Sequence, residues 1–381
     1  MKNWNIQLFE LNYCSKEQDA VLETLKSGWI TSGPKTSEFE AAFEKFTDSS
    51  YRAVAVSSCT AALHLSLLAA DISRGDEVII SALTFVAAAN VVKHVGAKVI
   101  LADSKSETDW NISLDNIRAV VTEKTKAIII VHFAGKPCDE IEEISEYCRE
   151  KSIILIEDVA HAPGAGIRGK QCGTYGDFGC FSFFTNKNIS VGEGGLVLCR
   201  SEENHARVSR LRSHGMTVGT LERYKGRALS YDVSEPGLNY RLDEMRAAIG
   251  LVQLEKFPAA QKQRKLLVNL YSELLRDCKI LIPYDFEVNP HSTAAYHIFP
   301  ILLSPRVDRL KFMQHLKLLG IQTSIHYPSI SAFKGLKAHV SGKDLITRKI
   351  SEREVTLPLH TNMKKRDIIY ICKSIKEYED V

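Results

Sequence analysis

Short apolar runs alternate with helix-length amphipathic stretches through the first half of the chain: AVAVS (53–57), DEVII (76–80), AKVILAD (97–103), KAIIIVH (126–132), SIILIED (152–158), FGCFSF (178–183) and GLVLC (195–199). Such runs suit strands covered on both faces, and their alternation with helices predicts βαβ units and an α/β fold with a mostly parallel sheet. Two of the intervening helices are plain, one beginning near Thr60 (TAALHLSLLAA) and one through DEIEEISEYCREK (139–151). From about Ala247 the pattern changes to one long helical run, in which Pro258 predicts a kink or a restart. Isolated strand-like pieces follow, HIFPILL (297–303) and IQTSIHY (321–327). The change predicts a large domain over residues 1–247 and a smaller α+β domain over residues 248–381.

Length and composition exclude several classes. A chain of 381 residues with 45% hydrophobic content buries a large core, so disorder is not expected. Basic residues exceed acidic ones by only three, without a long basic run, so there is no footprint for nucleic acid. The nine cysteines are odd in number, widely spread and contain no Cys-x-x-Cys pair. They read as reduced thiols rather than as a zinc or disulfide framework. The first residues carry Glu10 and Glu17 without an uninterrupted apolar core, unlike a signal peptide. No window approaches the ~18 apolar residues of a membrane span. A cytoplasmic protein is expected, neither secreted nor embedded in a membrane.

Four places carry candidate chemistry. Asp158 ends the run IILIED, so its carboxylate is expected at the carboxyl edge of a parallel sheet, where open α/β folds bind ligands; taken alone it reads sooner as a cap or turn aspartate, and its surroundings change that. In SFFTNKN, Ser182 ends another strand and Lys187 lies in the turn beyond it, ahead of the glycine-rich GEGG (192–195). Such a lysine is either a solvated surface charge or an amine desolvated in a cleft, where burial frees the nucleophile. In SSCTAAL (57–63) a strand gives way to a helix whose first amides, from Thr60 and Ala61, suit a phosphate, or the serines and Thr60 are simple caps. Phe85, just after DEVIIS, is either core or a ring facing a ligand.

Taken together in order, these segments resemble the DegT/DnrJ/EryC1/StrS sugar aminotransferases, a fold type I pyridoxal-phosphate group. The similarity runs from SGWITSGP (27–34) through SSCTAALHL, GDEVIISALTF (75–85), TKAIIIVHFAG (125–135), IEDVAHAPGA (156–165), FSFFTNKN (181–188) with GEGG, and LNYRLDEMRAAIGLVQLEK (238–256), to LPLH (357–360). Within the family, SGWITSGPK, IED-x-AHA and the stretch from His214 to Ala228 resemble the subgroup that forms 4-amino-4-deoxyarabinose, whereas LNYRLDE departs toward the wider family.

The resemblance implies pyridoxal 5'-phosphate as cofactor, Lys187 as the imine-forming lysine and Asp158 as partner of the pyridine nitrogen. It implies Ser182 and the amides of Thr60 and Ala61 at the phosphate, Phe85 stacked on the ring and His161 beside the phenolic oxygen. Asn239 is implied to reach the phosphate from the other subunit of a homodimer with shared sites, and no metal is implied. Family members with histidine at the lysine position deoxygenate sugars; lysine at position 187 favours transamination. The donor implied is glutamate and the acceptor a keto group of a UDP- or dTDP-linked deoxysugar. A dehydratase or lyase on the same cofactor would use the same lysine and aspartate, and a non-catalytic regulator would need a DNA-reading module that the sequence lacks. Cys59 departs from the family's small glycine or alanine; it reads as a compact packing residue or as a thiol activated by the helix start. Substrate walls are expected from MTVGTLERYKGRALSYD (216–232) and from the second domain, where His326 and Tyr327 in IHYP line the pocket or serve as core or caps.

Overall fold

The computed structural model describes residues 4–219, 226, 230–283 and 291–378. In chain order the strands are β1 (Arg52–Val56), β2 (Glu77–Ser81), β3 (Lys98–Ala102), β4 (Thr125–Val131), β5 (Ile154–Asp158) and the two-residue β6 (Gly166–Ile167) and β7 (Lys170–Gln171). After them come β8 (Phe178–Ser182), β9 (Gly195–Cys199), β10 (Ser292–Thr293), β11 (Phe299–Leu302), β12 (Val340–Gly342) and β13 (Glu354–Leu357). Eight of these form one sheet in the order β1-β9-β8-β5-β4-β2-β3-β12. Every neighbouring pair is parallel except those made by β9, which runs antiparallel to both β1 and β8.

The apolar runs are continuous because both faces of this sheet are buried. In β1, Val54 and Val56 enter one core cluster while Ala53 and Ala55 enter another, and in β2 Val78 and Ile80 part from Ile79 in the same way. Alternate side chains point to opposite faces, so only an uninterrupted apolar run satisfies both. The seven runs of the first half all form strands of this sheet, and the two helices read between them span Cys59–Ala69 and Ile141–Glu150.

The C-terminal part departs from the sequence pattern. HIFPILL contains β11, which pairs antiparallel with β13. IQTSIHY forms no strand, only single bridges from Ile321 to Ile6 and from Ser324 to Thr356. Its hydrogen bonds are spent irregularly: Ile321 N–H closes a turn onto Leu316, and His326 N–H goes to the Glu354 carboxylate at 2.7 Å. The long helix spans Glu244–Leu274 without a break at Pro258. Pro258 sits on its exposed side, where a carbonyl that loses its partner can turn to water. The helix serves two cores, with Ala247 and Phe257 packed under the large sheet and Leu267, Val268 and Tyr271 in the C-terminal cluster. The 247/248 division therefore falls inside one helix, and β12, from the C-terminal part, extends the large sheet beside β3.

Two of the family-like motifs interlock at this helix. Glu244 of LNYRLDE accepts the N–H groups of Gly33, Lys35 and Thr36 and the Thr36 hydroxyl, at 2.7–2.8 Å. It thereby caps the helix Pro34–Thr47 that follows SGWITSG, a negative charge placed where the helix start is positive.

Candidate active site

Two adjacent carboxylates end β5, and strand alternation gives them opposite work. Glu157 is fully buried and accepts Gly173 N–H (2.7 Å), Tyr175 N–H (2.7 Å), Gly176 N–H (2.8 Å) and His132 Nε2 (3.0 Å). With its oxygens saturated, it ties the following turn to the sheet. Asp158 faces the other way, into a cavity of about 470 Å³. It accepts Ala160 N–H at 3.0 Å, and the Cys59 thiol lies 3.8 Å away. Burial pushes the Asp158 carboxyl up from its ordinary value, against the pull of that N–H and of Lys187.

Lys187 reaches the same cavity from the turn after β8, held there by its N–H to Phe184 carbonyl bond of 2.9 Å. Desolvation brings its ammonium down to about 8, with Asp158 opposing the shift. The amine is thus free at a pH where an ordinary lysine is protonated. The last glycine of GEGG has a packing reason: a Cβ on Gly195 would stand 2.4 Å from the Ser58 backbone, so β9 can lie against the helix start only as glycine.

Three imidazoles stand around Lys187: His326 and His297 come from the C-terminal part, and His161 from the stretch that follows β5. Asn188 donates its amide to Ala295 carbonyl (2.6 Å) and Gln261 (3.2 Å), so its oxygen faces His297 Nδ1 at 3.1 Å. His297 Nδ1 therefore bears the proton, and its Nε2 lone pair faces Lys187 Nζ at 3.4 Å. His161 is fixed by the same reasoning. Its Nδ1 accepts Ala134 N–H at 3.3 Å, so its Nε2–H donates to the Tyr327 hydroxyl at 3.0 Å. The Tyr327 proton is then free to turn into the cavity. Burial pushes His161 and His297 well below the ordinary histidine value and His326 down to about 3, with Lys187 adding to each shift. All three rings are neutral.

The structure brings Asp158, Lys187, His161, Ser182, Thr60 and Phe85 to this one cavity. Phe85 is 54% exposed, an aromatic face turned to the cavity instead of to the core. Ala61 is not on the cavity wall, and its N–H is already held by Ser58 Oγ at 3.1 Å, so the helix start offers Thr60 first. Asn239 is exposed and bridges to Ser213, and it does not line this cavity. The loop 216–232 lies partly outside the described residues, and its described part does not line the cavity. The Cys59 thiol is pushed well above its ordinary value by burial and by the Asp158 charge, which removes the activated-thiol alternative. His326 and Tyr327 both line the cavity, and both are also packed inside, His326 buried and Tyr327 against the cluster of Leu83, Trp110 and Phe133. Sequence reasoning missed His297 and Asn188. Asn188 directly follows the lysine, but His297 lies 110 residues from it, and nothing in the sequence pattern joins them. Among the described residues no cluster of metal ligands occurs, and no helix is long and apolar enough to cross a membrane.

Comparison with known proteins agrees with this arrangement. The chain is 37% identical over 369 residues to an uncharacterised protein of Methanocaldococcus jannaschii, covering 95% of this chain and 94% of that one. It is 34% identical over 378 residues to GDP-perosamine synthase of Escherichia coli O157:H7, covering 98% of each. Among solved structures, Spr1654 of Streptococcus pneumoniae in its PMP form superposes with a TM-score of 0.90 at 29% identity, covering 98% of each chain, and its PLP form with 0.88. The DegT/DnrJ/EryC1/StrS aminotransferase family pattern matches residues 13–376. With an amine and a carboxylate meeting on the floor of one cavity, and with relatives solved in pyridoxal- and pyridoxamine-phosphate forms, the chain belongs to the DegT/DnrJ/EryC1/StrS aminotransferase family, a family of pyridoxal-phosphate sugar aminotransferases.

Proposed function

We propose that this enzyme moves an amino group from L-glutamate to a keto group of a nucleotide-linked deoxysugar. The observation that carries the reading is Lys187, an amine lowered to about 8, on the floor of a 470 Å³ cavity beside the Asp158 carboxylate. The residues present fit pyridoxal phosphate. Phe85 offers an uncovered ring, Thr60 a helix start for an anion, and Asn186 Oδ1 is a buried cavity-lining acceptor without a partner among the described residues.

Pyridoxal phosphate, when bound, supplies a carbonyl that exchanges amines and a ring that accepts electrons. Asp158 would keep its charge against the ring nitrogen and hold that nitrogen protonated. Lys187 would be the point of attachment and, once released, would carry the proton from the donor's α-carbon, which is general acid–base work. His297 would keep the released amine in place through its Nε2 lone pair. His161 would orient Tyr327, whose free hydroxyl proton suits an oxygen of the cofactor or substrate; both ring nitrogens of His161 already have partners in the chain. Ser182 and Thr60 would take the phosphate.

Asn239 would serve a partner subunit. It is exposed and does not line the cavity of its own chain, as a residue shared across a two-fold axis would be. Mixing Lys187→Ala chains with Asn239→Asp chains should restore about a quarter of wild-type activity by random pairing. If heterodimers form and stay inactive, the shared-site reading is wrong. The acceptor is tested with a panel of GDP-, UDP- and dTDP-linked 3-keto and 4-keto sugars with glutamate. GDP joins the panel because a relative is named GDP-perosamine synthase. A mass change of amination together with 2-oxoglutarate release is expected for one class; 2-oxoglutarate without aminated sugar, or dehydrated sugar instead, would overturn the reading.

A further inference from the structure

Behind the cavity wall at His326 stand two polar side chains that the reading above leaves unused. Glu354, at the start of β13, is 1% exposed and forms no ion pair among the described residues. One of its oxygens accepts His326 N–H at 2.7 Å, and the other is hydrogen-bonded to Thr356 Oγ1. Thr356 Oγ1 in turn lies 2.9 Å from His326 Nδ1. The backbone pins the three together: Ser324 and Thr356 exchange N–H to carbonyl bonds of 3.2 and 2.9 Å, two residues from His326 on one side and from Glu354 on the other. His326 itself lines the cavity with Asp158 and Lys187.

A hydroxyl carries one proton, so this row of bonds has two states. With Glu354 protonated, the carboxyl donates to Thr356, Thr356 donates to His326 Nδ1, and the imidazole proton sits on Nε2. With Glu354 ionised, Thr356 donates to the carboxylate, His326 Nδ1–H donates to Thr356, and Nε2 presents a lone pair. We propose that Glu354, Thr356 and His326 form a proton relay that opens into the cavity at His326 Nε2. In the outward step the Nε2–H bond breaks and its proton passes to a ligand oxygen, nitrogen or a water. Nδ1 takes the threonine proton, Oγ1 takes the carboxyl proton, and the negative charge comes to rest on Glu354. One proton leaves and nothing is oxidised.

The electrostatics suit a relay. Burial pushes the Glu354 carboxyl up to about 8, so it holds its proton at neutral pH, while Arg309 on the adjacent helix works the other way. His326 is pushed down to about 3 by burial and by Lys187, so the ring passes a proton without keeping a second one. The other groups facing it are the Tyr327 phenol, pushed up by burial and further by Asp158 and Glu354, and the rings of His161, 6.4 Å away, and His297, both neutral. Arg353, the chain neighbour of Glu354, is turned to Glu107 and the Leu303 carbonyl. The use of such a relay rests on the aminotransferase reading: amination of a keto sugar needs a proton delivered to the departing carbonyl oxygen, besides the carbon-bound proton that Lys187 carries.

The relay is tested by its tautomers, independently of turnover. Full-chain protein labelled with 15N-histidine, with pyridoxal phosphate bound and again without it, is followed by 15N–1H correlation between about pH 6 and pH 10. His326→Gln assigns the signal. The wild type should pass from an Nε2–H to an Nδ1–H imidazole as pH rises. Glu354→Gln mimics the protonated carboxyl, because its amide donates to Thr356, and should hold Nε2–H at every pH. Thr356→Val should abolish the swap, and Thr356→Ser, which keeps a hydroxyl, should restore it. A wild-type His326 that keeps one tautomer throughout, or a swap that persists in Glu354→Gln, would overturn the relay. Should Glu354→Gln fail to fold, the wild-type titration with the Thr356→Val and Thr356→Ser pair decides alone. A protein that aminates no sugar can still show the swap, and an active aminotransferase can lack it, so the two readings fail separately.

Discussion

The wall of the cavity built by the large sheet, with Asp158, Lys187, Ser182 and the helix start at Thr60, carries the charged chemistry, whereas the C-terminal wall, with His326 and Tyr327 and with His297 against Lys187 behind them, carries groups that burial keeps neutral. The sheet wall can hold charge because strand ends and a helix start supply backbone donors, such as Ala160 N–H on Asp158. The C-terminal wall lines the cavity from the irregular stretch 324–327. It works through tautomers set by neighbours one bond further back, Asn188 for His297 and Thr356 for His326. If this division of labour is right, removing charge from the first wall should cost far more than altering donors and acceptors on the second.

The largest loss is expected at Lys187. Lys187→Met should abolish the borohydride-reducible bond to pyridoxal phosphate and lower turnover by several orders of magnitude. A stability effect should accompany it with the opposite sign. Burial brings the native amine down to about 8, against about 10.5 for an exposed lysine, so between these values the unfolded chain binds more protons. Wild-type stability therefore rises with pH across that window. Below it the burial of a charge costs in full. Cofactor-free Lys187→Met should melt at a higher temperature than wild type at neutral pH, and that advantage should fade as pH rises through the window; an advantage that grows with pH would contradict the assigned shift.

Asp158→Asn keeps the shape and removes the charge. Turnover should fall by roughly 10³-fold, the scale of losing one charge from a preorganised site, while cofactor still attaches. Near-normal turnover would mean that the sheet wall does not depend on its carboxylate.

The two walls also differ in how far the sequence foretold them, for a physical reason. Asp158 and Ser182 end runs whose apolar pattern marks strands, and Lys187 sits in the short turn after one, so a period-two reading carries them to one sheet edge. Phe85 stood out after DEVIIS with two readings left open, the resemblance added His161, and the structure puts both at the same cavity. His326 and Tyr327 were visible as residues but not as a wall, because IQTSIHY is held by isolated bridges and a side-chain carboxylate, which leave no periodicity. Glu354 was illegible for a similar reason: a buried acid in EVTL reads as the polar position of an edge strand until the fold closes over it. The long helix misled on Pro258, since an exposed proline can be accommodated where the sequence pattern shows only a break.

A milder effect is expected at His297. Replacing it with leucine removes the lone pair facing Lys187, and turnover should fall by about 10-fold, within the range for a lost hydrogen bond to a charged or reactive group. His297→Gln can place an oxygen near the same spot and should recover most of that loss. A purely structural histidine would not discriminate in this way. The readout that separates the two is acylation of Lys187 in cofactor-free protein: its pH midpoint should move further below the native value in His297→Leu, because an acceptor that favours the ammonium is gone, and should return in His297→Gln.

The smallest effect is expected at Cys59, which lines the cavity beside Asp158 on the sheet wall. Its position at the start of the helix Cys59–Ala69 would ordinarily make a thiol acidic. Here burial and the neighbouring carboxylate outweigh the helix start and push the thiol well above its ordinary value, so it stays protonated and makes only a weak contact of 3.8 Å to Asp158. Cys59→Ala removes that weak donor and one small buried atom, and turnover should change by less than about 3-fold, under 1 kcal/mol. Alkylation at neutral pH should be slow in the wild type, and loss of activity on treatment with iodoacetamide should be the same in both proteins. A fast-reacting Cys59, or a Cys59→Ala enzyme crippled as badly as Asp158→Asn, would place a further charged group on the sheet wall, besides Asp158 and the exposed Glu193 that also lines the cavity, and undo the assignment of the buried negative charge to Asp158.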